Sequence, residues 1–240
     1  MKKIIAMALF CSLALMATAQ KTVINDPYVV ERKVDEFSGI SISGSIDLFY
    51  SPDAETKVLV SSSDRDLLGR IETYVKNGIL HIKIKDRDGW NISWGNRKLR
   101  AYVSAPPVKM IDASGSGNVR VEGRLRVETL TFNTSGSGNV EANVEVDRLV
   151  YDHSGSGNAN FSGTAGKADI NTSGSGNFIS PSLVIEKCEV DASGSGNIEI
   201  TVNKEISAET SGSGNIRFRG DGLISNLSTS GSGKIKRISK

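Results

Sequence analysis

From Ile111 onward the chain alternates apolar or small residues with polar ones, position by position. Ile111, Ala113, Gly115, Gly117, Val119 and Val121 hold one parity; Asp112, Ser114, Ser116, Asn118 and Arg120 hold the other. The first parity returns as Leu130, Phe132, Thr134, Gly136, Gly138, Val140 and Ala142, and then as Leu149, Tyr151, His153, Gly155, Gly157, Ala159 and Phe161. A later block reads Cys188, Val190, Ala192, Gly194, Gly196, Ile198 and Ile200. Side chains of extended chain point alternately to two faces, so a period of two predicts strands and not helices. The apolar parity is expected inward.

The strands belong to a repeat. Ser114-Gly115-Ser116-Gly117-Asn118 returns from Ser135, Ser154, Ser173, Ser193 and Ser211, and a seventh copy from Ser230 ends in Lys234. The steps are 21, 19, 19, 20, 18 and 19 residues, a period that signals stacked coils. Constant blocks of thirteen residues are joined by connectors of five to eight. The connectors carry apolar residues such as Leu125, Val127, Val144 and Val146, which predict a further short strand in each coil. Each coil returns to the same face, so like strands stack in parallel. The expected fold class is all-β: a right-handed parallel β-helix, since parallel crossovers are nearly always right-handed.

Both glycines of each copy fall on the inward parity. A side chain there is expected to strike the opposite wall or the bent backbone, and glycine suits both a bend and a close approach. The serines and the asparagine face out, in ladders with strand spacing of ~4.8 Å.

Residues 1–19 read as a secretory signal peptide: Met1-Lys2-Lys3, an apolar run from Ile4 to Met16, then Ala17-Thr18-Ala19 before Gln20. The run is shorter than the ~20 apolar residues of a membrane-spanning helix, so an integral membrane protein is not expected. Residues 20–36 read as a polar lead segment, 37–107 as a β-rich capping portion and 108–240 as the β-helix of seven coils. In the capping portion Ile40, Ile42, Gly44, Ile46, Leu48 and Tyr50 alternate like a coil with a single glycine. Asp64 to Ile71 predicts a short helix capped by Asp64. Asn77-Gly78 between alternating segments predicts a hairpin. Leu99 to Val103 predicts a strand stopped by Pro106-Pro107. This portion is expected to be mixed β, partly antiparallel.

Charge narrows the class of partner. Removing residues 1–19 takes away Lys2 and Lys3 and no acid, leaving 27 basic residues (29 − 2) against 27 acidic. A balanced chain argues against nucleic acid or anionic membrane as the partner. Cys188 is then the single cysteine, which excludes a disulfide framework, and its inward parity makes it a core residue.

Candidate chemistry is sparse. Asp112, Asn133, Asp152, Asn171, Asp191, Glu209 and Ser228 form one outward column. Asp112, Asp152 and Asp191 are candidate ligand contacts; a bound Ca²⁺ would need six to eight oxygens at 2.3–2.6 Å, closer than rungs ~4.8 Å apart supply. A solvated polar ladder, with Asn relieving repulsion between acids, is the competing reading. Trp90 and Trp94, in a polar loop, are candidates for stacking on sugar rings or for covering the end of the core. His153, in an inward column of small residues, is expected to be a hydrogen-bonded wall residue, and His81 to face solvent. No nucleophile, base and orienting group assemble, and neither a catalytic residue nor a cofactor is expected. In the last coil Lys234 replaces the motif Asn, Arg237 stands where earlier coils carry Phe161, Ile200 or Phe218, and Lys236 and Lys240 add charge, so residues 230–240 are expected to form a charged cap that blunts the edge.

Phe37-Ser38-Gly39-Ile40, Ser43-Gly44-Ser45-Ile46-Asp47-Leu48, Asn77-Gly78-Ile79-Leu80-His81-Ile82, Ala105-Pro106 and the repeated Ser-Gly-Ser-Gly-Asn together resemble the head GIN domain of auto-transporter adhesins, over roughly residues 37 to 235. The resemblance implies an exported β-helical protein of adhesin type, in the periplasm, at the cell surface or secreted, and supplies no catalytic or ligand-binding residues. Three functions compete. The first is an adhesin-like binding module for a glycan or a surface protein. The second is a structural spacer of the envelope. The third is a polysaccharide-cleaving enzyme, an analogy from fold alone. The pattern leaves the oligomeric state open.

Overall fold

The computed structural model describes residues 26–85 and 98–239. The expected signal peptide, Trp90, Trp94 and Lys240 lie outside the described residues. The elements are β1 (Tyr28–Arg32), β2 (Gly39–Gly44), β3 (Ile46–Pro52), β4 (Lys57–Ser62), α1 (Arg65–Leu68), β5 (Ile71–Lys76), β6 (Ile79–Ile84), β7 (Leu99–Ala105) and β8 (Met110–Gly115). Five long strands follow: β9 (Val119–Gly136), β10 (Val140–Gly155), β11 (Ala159–Gly174), β12 (Phe178–Gly194) and β13 (Ile198–Thr210). Then come β14 (Ile216–Arg219), β15 (Leu223–Thr229) and β16 (Ile235–Arg237).

Each long strand is nearly a whole coil. The connectors are not separate short strands, as the block pattern suggests, but run on unbroken from the blocks. Only the Ser-Gly-Asn between one strand and the next is turn. Length variation is absorbed where the ladder slips: Glu141 and Asn143 stand opposite Arg120 and Arg124, and Ser180 and Val184 opposite Ile200 and Thr201. Extra residues accommodated in this way bend a strand without ending it.

Two columns of inward residues build the core. One runs Leu48, Val119, Val140, Ala159, Phe178, Ile198, Ile216 and Ile235. The other runs Ile40, Ile111, Phe132, Tyr151, Ile170, Val190, Ala208 and Leu227. All are in parallel register, and all but Ile235 and Leu227, in the last coil, are buried. Phe132, Tyr151, Phe161 and Phe178 meet ring to ring in the middle, with centroids 4.9–5.5 Å apart. Cys188 is buried in the same core, and burial pushes its thiol far above the usual range.

The glycines answer to a different neighbour than the one expected. A Cβ on Gly136 would stand 2.2 Å from the carbonyl oxygen of Gly115, and one on Gly138 2.0 Å from that of Gly117. The clash is with the coil before, not with the opposite wall. The cause is hydrogen bonding: the Gly115 carbonyl accepts the N–H of Ser137 at 2.8 Å and of Gly138 at 3.2 Å. Two donors on one oxygen draw the turns together until no Cβ fits between them. The contact recurs from Gly155 to Gly136 and from Gly174 to Gly155.

The N-terminal end is mixed, as its pattern predicts. β1 pairs antiparallel with β4 and β4 antiparallel with β7, while β7 is parallel to β3. β5 and β6 form the Asn77-Gly78 hairpin with φ of 54° and 72°, and β6 joins β2 in parallel. Both φ values are positive, as a type I′ turn requires. Asp64 caps α1 by accepting the Asp66 N–H at 2.9 Å. The polar lead segment contains β1. Asp26 fastens this strand: its carboxylate accepts from Ser61 Oγ, Tyr102 Oη and Arg100. Burial raises the Asp26 pKa, but these three bonds outweigh it and the net shift is downward. His81 lies on the outward face of β6, as expected, and is half-buried because Tyr74 stacks on it with centroids 5.0 Å apart.

At the C-terminal end, β16 lies on β14 and β15 on β13. Arg237 folds over the Phe218 ring, 5.2 Å from its centroid, and donates to the Gly222 carbonyl. The expected charged cap thus covers β14.

Candidate functional site

The repeated motif separates two grooves. The serine that opens each copy faces one of them, and the asparagine that closes the copy faces the other.

The first groove, of about 550 Å³, is lined by Asp112, Asp152 and Asp191, by Asn133 and Asn171 between them, and by Ser114 to Ser193 of successive copies. The fold therefore gathers the three predicted aspartates on one surface. It also sets an amide rung between each pair. Asn133 Nδ2 donates to Asp112 Oδ1 at 2.6 Å, and Asn171 Nδ2 to Asp152 Oδ1 at 2.7 Å. Asp112 and Asp152 thus each accept from a neutral neighbour, which suits a polar ladder, while Asp191 stands between Asn171 and Glu209. Among the described residues no group of three or more His, Cys, Asp or Glu is placed to hold a metal ion. Trp90 and Trp94 lie outside the described residues. His153 is buried beneath this face, with Nδ1 2.8 Å from Thr134 Oγ1, as expected of a wall residue. Burial lowers its pKa, against a bond involving the Gly155 backbone, which raises it.

The second groove, of about 650 Å³, has different chemistry. One wall is a continuous amide ladder. Asn118, Asn139, Asn158, Asn177, Asn197 and Asn215 each donate both the backbone N–H and Nδ2–H to the side-chain oxygen one coil earlier, at 2.8–3.2 Å. The first acceptor is the carboxylate of Asp47. All the donors point toward Asp47, so a group that can only accept stands at the correct end. The position after Asn215 is Lys234, which can only donate.

The other wall is a column in register: Phe49, Arg120, Glu141 and Asn160. Arg120 donates to Glu141 at 2.7 Å. Phe49 stacks on Tyr102 with centroids 5.1 Å apart and planes at 17°. Ile179, on the next strand, is 38% exposed. An aromatic ring and an aliphatic side chain therefore stand at the two ends of a strip that is otherwise amide and charge.

Sequence reasoning anticipates ladders of Ser and Asn but misses this groove. Phe49 and Ile179 fall on the outward parity of strands that otherwise alternate cleanly, and large apolar residues on that parity are the signal that could have found it. Asp47 was also legible: it stands in Ser43-Gly44-Ser45-Ile46-Asp47 where later copies carry Asn.

Comparison with known proteins agrees with the fold. A putative adhesin from Bacteroides fragilis NCTC 9343 is 26% identical, with a TM-score of 0.82 over 88% of this chain and 96% of that one. A protein from Parabacteroides distasonis ATCC 8503, titled a putative lipid binding protein, is 26% identical, with a TM-score of 0.70 over 89% and 97%. A putative adhesin from Parabacteroides merdae ATCC 43184, 21% identical with a TM-score of 0.64 over 88% and 95%, shares the fold. No curated protein is significantly similar to the chain. The model of one family matches residues 36–222. The coil stack, its mixed N-terminal end and this match together place the chain in the family described as "Putative auto-transporter adhesin, head GIN domain".

Proposed function

We propose that the protein is an exported, adhesin-like binding module that holds an extended carbohydrate in the groove between the asparagine ladder and the Phe49–Ile179 strip. One observation carries the reading: Phe49 and Ile179 flank a row of amides and an Arg–Glu pair in a groove of about 650 Å³. Sugars present apolar C–H faces and hydroxyl edges. An amphipathic strip with an aromatic platform meets both kinds of surface, and a pocket needs only a few placed polar groups to fix orientation. From Phe49 on β3 to Ile179 on β12 is four strand steps, ~19 Å at the usual spacing. That length suits a short oligosaccharide better than a single sugar.

The first groove supports a weaker second site through Asp112, Asp152 and Asp191. It lacks an apolar side chain as large as Phe49. The names given to the relatives, adhesin and lipid binding, describe binding and not catalysis. No residue is assigned a catalytic role.

The test is a glycan panel probed with the chain from residue 20 onward and with two variants. Binding should fall at least tenfold in Phe49→Ala and survive in Asp152→Asn. The reverse pattern would put the ligand in the first groove. A blank panel together with equal binding of both variants to protein matrices would overturn the carbohydrate reading.

A further inference from the structure

Among the described residues, four strands are open on one edge: β1, β5, β15 and β16. Exposed edges invite pairing, and proteins blunt them with charge. β1 carries Glu31 and Arg32, β5 carries Glu72 and Lys76, and β16 carries Lys236 and Arg237. β15 reads Leu-Ile-Ser-Asn-Leu-Ser-Thr and carries no charge. All seven of its residues are exposed. Leu223 is 76%, Ile224 50% and Leu227 39% exposed.

The position of these side chains matters more than their number. Ile224 pairs with Ile206 and Leu227 with Ala208, with Ser225 bulged out of the register between them. Both therefore extend inward columns whose earlier members are buried. Their partner on the far side would be another coil. Arg237 closes the β14 half of this end over Phe218 and leaves the β15 half uncovered.

We propose that β15 pairs antiparallel with β15 of a second copy, making a two-fold dimer end to end. A two-fold axis brings a strand against itself, so any charge on it would meet its own like. With the axis at the middle residue, Asn226, this uncharged strand meets no like charge, and Ile224 and Leu227 of both copies lie on the core side of the joined pair. The opposite end of another molecule fits less well. Its open strands β1 and β5 bring Glu31, Arg32, Glu72 and Lys76 against an uncharged edge, and such head-to-tail contacts do not close. Each dimer would carry two copies of each groove.

Sedimentation of the chain from residue 20 onward tests the proposal. The parent should have twice the mass of one chain at micromolar concentration. The I224K/L227K variant should have the mass of one chain with an unchanged far-ultraviolet dichroism spectrum. A folded single cysteine variant, Asn226→Cys, should form a disulfide-linked dimer on mild oxidation, because buried Cys188 is the only other thiol in that chain. This second variant keeps the test decisive if the double lysine variant fails to fold. A parent that stays monomeric, a ladder of larger oligomers, or no crosslink at position 226 would each overturn the two-fold pairing.

Discussion

The Oδ1 atom of Asn139 accepts the backbone N–H and the Nδ2–H of Asn158, at 3.0 and 3.1 Å. The same pair of bonds links each motif asparagine from Asn139 to Asn215 to the one before it, and Asn118 to Asp47. A ladder of this kind is directional, and chains of hydrogen bonds polarise one another. It fixes the register of successive turns and holds a row of amides along one wall of a groove.

Removing a middle rung should therefore be felt by the next coil. Asn158→Ala takes the acceptor from the Asn177 N–H, bonded to it at 3.2 Å, and from Asn177 Nδ2, at 2.8 Å. The rung is exposed and water can replace part of the loss, so the cost should be about 1–2 kcal/mol. The Asn177 backbone amide should exchange with deuterium faster in the variant. An unchanged rate would mean that the ladder follows the fold without supporting it.

The glycine columns should be less forgiving. At Gly155 φ is +143°, and an added Cβ would lie 2.1 Å from the Gly136 carbonyl oxygen. Gly155→Ala should cost ~3 kcal/mol or more, from strain and overpacking together. Gly123, with φ of +84°, has nothing within 4 Å of the added atom. Gly123→Ala should cost only the ~1–2 kcal/mol of the left-handed conformation. Thermal melts of the two variants separate close approach from backbone strain. Equal shifts would remove the carbonyl contact as the reason for the column.

The core assignment makes a plainer prediction. Phe161 is fully buried among Phe132, Tyr151 and Phe178, whereas Ser156 is exposed. Phe161→Ala should destabilise by about 3–5 kcal/mol. Ser156→Ala should stay within ~0.5 kcal/mol of the parent. Chemical denaturation of both settles the order.

The period of two and the period of about nineteen were enough to read the coil stack, its inward parity, the hairpin at Asn77-Gly78 and the helix cap at Asp64. Local patterns carry such elements because each rests on a few adjacent residues. Contacts between coils were legible only in part. The glycines were visibly special, but their clash depends on a carbonyl about nineteen residues earlier, which no local pattern shows. Asp26 pairs with Ser61, Arg100 and Tyr102 across 35 to 76 positions, so the ordering of β1 was hidden. The aspartate column was read correctly as a row on one face. The Phe49 groove was missed because its walls come from different columns of several coils.

Acid should weaken the fold through His153. Burial holds its imidazole below the usual value of 6.5. The neutral ring is therefore the form that folds, and the unfolded chain takes up the proton first. This contribution is complete above pH ~6.5 and is lost as pH falls from there through the lower folded value. His153→Gln should flatten the slope of stability against pH between ~7 and ~5 relative to the parent. A parallel slope in the two proteins would mean that carboxylates alone set the acid response.

The most direct measurement for the binding groove is nuclear magnetic resonance with labelled asparagine. Neutral and acidic oligosaccharides of about four sugars would be titrated into the chain from residue 20 onward. The expected result is a concentration-dependent shift of the side-chain amides of Asn118, Asn139 and Asn158, absent in Phe49→Ala. Shifts confined to Asn133 and Asn171, which line the other groove, would contradict the carbohydrate site beside Phe49.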